Sequence, residues 1–266
     1  MNVVVCIKQI LDPEIPPSKF QLDPQAKRVI PPEGMPLKVS PFDAQAVEAA
    51  LRLKEKDGAK VTAVTVGEPG AAEATKNVLS MGVDEGLVVS DPAFEGSDSF
   101  GTAYILAQTI RKLGDFDLIL CGRQAADWDM GIVGSALAEY LDVPVVTLAR
   151  KIEAVGTSLS IERMIPDGYE VAEVDMPAVV TVSSELGQPR LPSGKGIIMA
   201  ARKQVPVWTA QDIACDASRV GRGAAGVELL ALSVPQQGRR GEVVDGENAA
   251  DAAARLVVRL QEAGVL

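Results

Sequence analysis

Between residues 2 and 148 the chain alternates short, apolar, β-rich runs with longer stretches of helical periodicity, and this alternation restricts the fold more than any other feature. The runs at 2–8, 60–66, 86–90, 117–121 and 144–148 have the length and composition of buried strands. The intervening stretches 43–56, 71–81, 97–113 and 130–141 repeat apolar residues at helical spacing. Gly58 and Gly82 stand where left-handed C-terminal caps are expected, and Asp43 after Pro41 marks a helix start. Strands alternating with helices build a mostly parallel, doubly wound α/β sheet covered on both faces.

After residue 151 the period changes. The alternating stretches "SLSIERMI" and "YEVAEVDMPAVVTV", joined by Pro166-Asp167-Gly168, predict a hairpin over 151–176 and one further strand of the main sheet. "GQPRLPSGKGIIMAARK", over 187–203, is rich in Gly and Pro and predicts a loop running into a short helix. Residues 217–246 carry many Gly, Arg and Gln and no period. A terminal helix over 247–263 follows, with Ala250, Ala254, Leu256, Val257 and Leu260 as its apolar positions. The expected organisation is an α/β domain over 1–205 and a C-terminal arm with a helix over 206–266. Such an arm is poorly stabilised alone and is expected to pack on another chain.

Composition narrows the chemistry. With 266 residues, 47% of them apolar and 23% charged, the chain can bury a sizeable core. A net charge of −10 argues against nucleic acid, whose binding needs a Lys/Arg footprint. There is no histidine, which removes Ser-His-Asp and Cys-His nucleophiles and His metal ligands. The three cysteines, Cys6, Cys121 and Cys215, are odd in number and widely spaced, so neither a disulfide framework nor a zinc site is expected. From Met1 the chain enters the apolar stretch 3–7 without a basic region, a cleavage site or a run long enough to span a bilayer. The expected location is therefore the cytoplasm, without membrane insertion.

The most informative segment is "DLILCGRQAADWDMGIVGSALAEYL", residues 117–141. A strand ends at Cys121-Gly122, a loop follows, and a helix is expected from Met130 with Asp129 as its N-cap. In open α/β sheets, ligands bind beyond the carboxyl ends of the strands, and free N–H groups at a helix start suit phosphate. Gly131 and Gly134 would let that backbone come close to a ligand, although turn chemistry alone also accounts for glycine at such a junction. No GxGxxG follows the first strand, and no GxxxxGK[ST] or SGGxDS loop occurs, so neither a dinucleotide dehydrogenase nor a phosphoryl-transferring ATPase is supported. Asp127 and Asp129 carry oxygens that could ligate a cation, but Asp in a loop before a helix more often serves as a cap. No catalytic residue and no metal ligand is assigned.

"VVVCIKQ", "SPFDAQAVEAALRLKE", "VTAVTVGEPGAAEATKNVLSMGVDEGLVV", "CGRQAADWDMGIVG", "PAVVTV" and "GQPRLPSGKGIIMAARK" occur in the order and at the spacing found in electron transfer flavoprotein beta subunits. The chain resembles that family closely over 1–205 and loosely beyond. The resemblance implies a fold related to the adenine-nucleotide alpha-hydrolases, an alpha subunit as partner whose mobile domain carries FAD, and in this chain a structural AMP or, in the electron-bifurcating branch, a second FAD. It implies electron transfer from flavin dehydrogenases, such as an acyl-CoA dehydrogenase, to a quinone- or ferredoxin-linked acceptor. Carried onto this sequence, the nucleotide contacts fall on Cys6; on Ser40, Pro41, Phe42 and Asp43; on Val66; and on Gly122, Arg123, Gln124, Ala125, Ala126, Asp127, Trp128, Asp129, Met130, Gly131, Ile132, Val133 and Gly134. Trp128 reads either as a lid over the nucleotide or as a ring stacked on it. "GRQA" before "D.D" and "VG" is similar to the bifurcating branch, whereas Trp128 and Met130 depart from it.

Two further departures concern partners. Met164 follows the Glu162-Arg163 pair where an acidic residue is common. The segment resembling the dehydrogenase-docking loop has Gly194 and Lys195 where a leucine is expected, leaving Leu191 as the leucine nearby. A stand-alone adenine-nucleotide sensor of the stress-protein kind would share the fold without the redox role. The arm and terminal helix favour the carrier.

Overall fold

The computed structural model describes residues 1–234 and 241–266. β1 (Asn2–Ile7) leads to four short strands, β2 (Gln9–Ile10), β3 (Gln21–Asp23), β4 (Arg28–Ile30) and β5 (Lys38–Val39), which pair as β2–β5 and β3–β4 outside the main sheet. The regular alternation then begins: α1 (Pro41–Asp57), β6 (Lys60–Val66), α2 (Ala72–Met81), β7 (Glu85–Val89), α3 (Ser99–Leu113), β8 (Leu118–Gly122) and α4 (Val133–Leu141). The remainder is β9 (Val145–Val155), β10 (Ser158–Ile165), β11 (Gly168–Asp175), β12 (Ala178–Val182), α5 (Gly194–Arg202), β13 (Val207–Trp208) and α6 (Ala249–Glu262). The main sheet has nine strands in the order β11-β10-β9-β12-β8-β1-β6-β7-β13, parallel except where β9, β10 and β11 run antiparallel.

The sequence explains this arrangement locally. β1 and β8 are apolar without interruption because both of their faces are covered, and residues Leu118, Ile119 and Leu120 are completely buried. Alternation along β1 sorts two cores: Val3, Val5 and Ile7 pack with α1 and α2, while Val4 and Cys6 pack with α3 and α4. Full burial of an aliphatic side chain in these layers contributes about 1.5–3 kcal/mol. The chain leaves β1 for β6 on one side, adds β7, then returns to β8 on the other. The crevice at the carboxyl ends of β1 and β8 is therefore the switch point where open sheets bind ligands.

Two expectations are corrected. α4 begins at Val133 rather than Met130, and Asp129 does not cap it. Ile132 occupies the N-cap position with no side-chain acceptor, and Asp129 turns away at φ 50°, its N–H donating to the Ala125 carbonyl at 2.9 Å. The expected strand 144–148 is only the parallel half of β9. Leu148, at φ 61°, marks the change of partner, and its N–H donates to the Thr181 hydroxyl at 3.1 Å. The chain divides into two compact units, Met1–Leu230 and Ala231–Leu266. Residues 206–230 stay in the first unit because β13 adds to the sheet edge beside β7, and Ile213 and Val220 are buried in the second core. Within the second unit, Asn248 caps α6 through the N–H groups of Ala250 and Asp251, and α6 buries none of its residues. Part of the unpatterned stretch 217–246 lies outside the described residues.

Gly134 sits where α4 meets β12. A Cβ there would stand 2.5 Å from the Thr181 Cγ2, so helix–sheet packing by itself requires this glycine. Gly134→Ala is expected to lower the unfolding free energy by about 1–3 kcal/mol. Adding Thr181→Ser, which removes the obstructing methyl but keeps the hydroxyl that Leu148 uses, should restore most of that loss. Denaturant midpoints of the two single variants and the double variant test this, and strictly additive losses would contradict it.

Candidate functional site

The carboxyl ends of β1, β6 and β8, the loop 123–132, the start of α3 and the segment 222–229 enclose a cleft of about 880 Å³. Of the residues expected to contact a nucleotide, Cys6, Asp43, Val66, Gly122, Arg123, Gln124, Ala125, Trp128, Met130, Gly131, Ile132, Val133 and Gly134 line it. Ser40, Pro41, Phe42, Ala126, Asp127 and Asp129 do not. Ser40 is completely buried at the α1 N-cap, its N–H bound to the Lys8 carbonyl at 2.9 Å. Phe42 acts from behind: the Arg123 guanidinium lies 4.6 Å over its ring.

The floor is set by Asp43. Its carboxylate accepts from the Lys8 N–H at 2.8 Å and the Gly122 N–H at 3.2 Å, joining the first turn of α1 to the ends of β1 and β8. Gly122 has no room for a side chain: a Cβ would stand 2.5 Å from the Asp43 Oδ1 and 2.7 Å from the Phe42 carbonyl carbon. Burial pushes the Asp43 carboxyl up to about 7, against the opposing pull of the two N–H donors.

Around this floor the groups suit an anion. The first-turn N–H groups of α4 have no side-chain cap. Arg123 has a buried Nε with no hydrogen-bond partner. Lys8, Lys27 and Arg222 also line the cleft, as do the acidic residues Asp43, Asp98 and Glu228. The loop 123–132 is held in shape by its own contacts: Gln124 donates to Asp129 at 2.7 Å, Lys8 pairs with Asp127 at 2.6 Å, and Gly131 turns at φ 65°. The two aspartates are thus engaged in the loop. Among the described residues no group of three or more Cys, Asp and Glu side chains is arranged to hold a metal ion. Trp128 and Met130 each remain 47% exposed on the rim, where an apolar side chain can cover a ligand.

Sequence reasoning missed one whole wall, formed by Ser97, Asp98, Ser99 and Thr102 at the start of α3 and by Arg222, Ala225, Val227, Glu228 and Leu229. It also missed Lys8 and Lys27. Asp98 two residues before an aromatic-apolar run was a readable cap signal, but segment 222–229 has no period and gave none. The sequence-derived docking residues lie elsewhere. Leu191 is 88% exposed, and Gly194 and Lys195 open α5 behind the Ser193 cap. Their neighbours Ile197, Ile198 and Met199 are also exposed, an apolar group the sequence reading did not single out. The segment is fastened to α1 by Arg190, whose Nε donates to Glu48 at 2.8 Å. Among the described residues no helix is long and apolar enough to cross a membrane.

Asp43 makes a pH prediction. Its folded value lies near 7 and its ordinary value at 3.8, so between about pH 4 and 7 the native chain retains a proton that the unfolded chain has lost. The contribution of this group to stability is complete below the ordinary value and is lost as pH rises through that window. The difference in unfolding free energy between the native chain and Asp43→Asn should therefore move against the native chain by up to about 4 kcal/mol from pH 4 to 7. A difference moving the opposite way would show that the carboxylate, not the acid, is the form this site holds.

Comparison with known proteins agrees with this architecture. A family model described as "Electron transfer flavoprotein domain" matches residues 29–213. The chain is 40% identical to the electron transfer flavoprotein subunit beta of Thermoanaerobacterium thermosaccharolyticum, over 100% of both chains. It is 36% identical to the caffeyl-CoA reductase-Etf complex subunit CarD of Acetobacterium woodii, again over 100% of both, and 34% identical to Protein FixA of Azotobacter vinelandii, over 87% of this chain and 80% of that one. The nine-stranded α/β fold and full-length similarity to beta subunits lead to one conclusion: the chain belongs to the electron transfer flavoprotein beta-subunit family and serves in electron transfer.

Proposed function

We propose that this chain is the beta half of a heterodimer with an electron transfer flavoprotein alpha subunit, and that it holds an adenine nucleotide in the cleft between β1 and β8. The observation that carries this reading is the convergence on one cleft of uncapped α4 N–H groups and the unpartnered Arg123 Nε. Phosphates of the nucleotide would be held by the backbone of 131–134 and by Arg123, with Trp128 and Met130 over its rings. A cleft of about 880 Å³ is at the upper end of small-ligand sites and favours FAD over AMP. A bound flavin supplies the one- and two-electron chemistry. The protein's own part is binding, orientation and exclusion of water, which agrees with the absence of any histidine.

The electrons come from a flavin-dependent dehydrogenase and pass to a quinone- or ferredoxin-linked acceptor, and "GRQA" before "D.D" and "VG" favours the bifurcating branch. The location is the cytoplasm. The second unit, Ala231–Leu266, is the arm that orders on the alpha subunit, since α6 keeps Leu256, Val257 and Val258 about half exposed. The donor meets the α5 segment. Gly194 offers nothing to bury there, so Leu191 and Ile197 supply the apolar contact and Lys195 faces an acidic patch.

Acid denaturation of the purified heterodimer, with the released nucleotides counted, tests the cleft. Two FAD and no AMP per heterodimer are expected. One FAD with one AMP would assign AMP to this chain, and one FAD alone would contradict a nucleotide here. Docking has its own readout. Electron transfer from the cognate dehydrogenase should slow as salt rises and fall several-fold in Lys195→Glu at low salt. A rate indifferent to both would make α5 a bystander.

A further inference from the structure

The wall of the cleft formed by 221–229 has no helix or strand to hold it, and its residues Arg222, Val227 and Glu228 are exposed. It is kept in place by a few polar fastenings. The Gly221 N–H donates to the Ser97 Oγ at 2.7 Å, the Arg222 N–H to the Glu95 carbonyl at 3.1 Å, and the Gly226 N–H to the Asp98 Oδ2 at 2.8 Å. At the far end, Lys27 donates to the Leu229 carbonyl at 2.8 Å. Asp98 is the unusual member, because its other oxygen is already used. Oδ1 accepts from Phe100 N–H at 3.0 Å and Gly101 N–H at 2.9 Å, capping α3.

We propose that Asp98 is a positioning residue of the cleft, one carboxylate oxygen starting α3 while the other latches the strap 221–229 against the opening. The division of labour is what a carboxylate can do and a shorter cap cannot: Ser at the same position caps a helix equally well but has one oxygen. With three glycines in 221–226 the strap is costly to order, and every fastening made before a ligand arrives lowers the entropy that binding must supply. Strap closure and cleft occupancy are then linked, so that weakening the latch weakens binding. This inference rests on the nucleotide reading of the cleft for its ligand, but not for the latch.

Asp98→Asn and Asp98→Ser separate the two roles. Both retain a side-chain oxygen that caps α3. Asn turns an N–H against the Gly226 N–H, and Ser has nothing to offer it. In the full-length chain, both variants should melt within about 3 °C of wild type. Amides of 221–229 should exchange faster in both, and AMP and FAD, titrated separately, should bind about tenfold more weakly. Asp98→Ala, which loses both roles, should in addition lower the melting temperature. Unchanged strap exchange in Asn and Ser would overturn the latch. Faster exchange with wild-type affinity for both nucleotides would overturn its positioning role. If wild type bound neither nucleotide, the reading of the cleft would fail, and strap exchange alone would still decide the latch.

Discussion

A single buried carboxylate sets the geometry on which the rest of the cleft depends. Asp43 is the third residue of α1, and by accepting from the last amides of β1 and β8 it fixes where the helix starts relative to the two central strands. Neither N–H has another strand to pair with at that point, so losing the acceptor would leave two buried donors unsatisfied. Gly122 follows from this arrangement, since its α-carbon lies against the Asp43 carboxyl and the Phe42 carbonyl. Phe42 in turn supports Arg123, and the orphaned Arg123 Nε follows from holding a guanidinium over an aromatic ring at the cleft edge. The site is therefore built from the packing of α1 against β1 and β8 as much as from the loop that lines it.

The walls differ in how they are held. The floor and the α4 side are parts of the sheet and its helices, with Gly134 pressed against Thr181. The rim 123–132 and the strap 221–229 are held by side-chain contacts, and both carry cations toward the opening. An arrangement of this kind combines a rigid floor with side walls that depend on a few side-chain contacts. The segment before α5 is tied to the same framework: Arg190 joins it to Glu48 on α1, the helix whose first turn carries Asp43, while α5 itself packs on α2.

Much of the fold was legible because its signals were local. β6 was read as 60–66 and found as Lys60–Val66, since a buried parallel strand bounded by a helix cap is written in composition alone. Gly58 caps α1 with φ 69°, as its position implied. The misreadings arose where a long-range contact decides the structure. Asp129 fits an N-cap by type, yet Gln124 and the Ala125 carbonyl claim it, and α4 starts three residues later. The packing role of Gly134 was not legible because the sequence does not say that Thr181 lies opposite. The fastening of the strap was not legible because nothing in an aperiodic Gly/Ala segment announces that Ser97, Asp98 and Lys27 will bind its backbone. The exposed α5 face was not legible because three consecutive apolar residues, Ile197, Ile198 and Met199, read equally well as buried positions of a short helix.

The central claim is that a nucleotide occupies the switch-point cleft on the backbone of the β8–α4 connection. Hydrogen exchange of the full-length chain with and without saturating AMP addresses it residue by residue. Slower exchange is expected at the amides of 123–134 and of 221–229, with the hairpin β10–β11 unaffected. Protection confined to α5 or α6, or no protection at 123–134 under conditions where AMP binds, would contradict it.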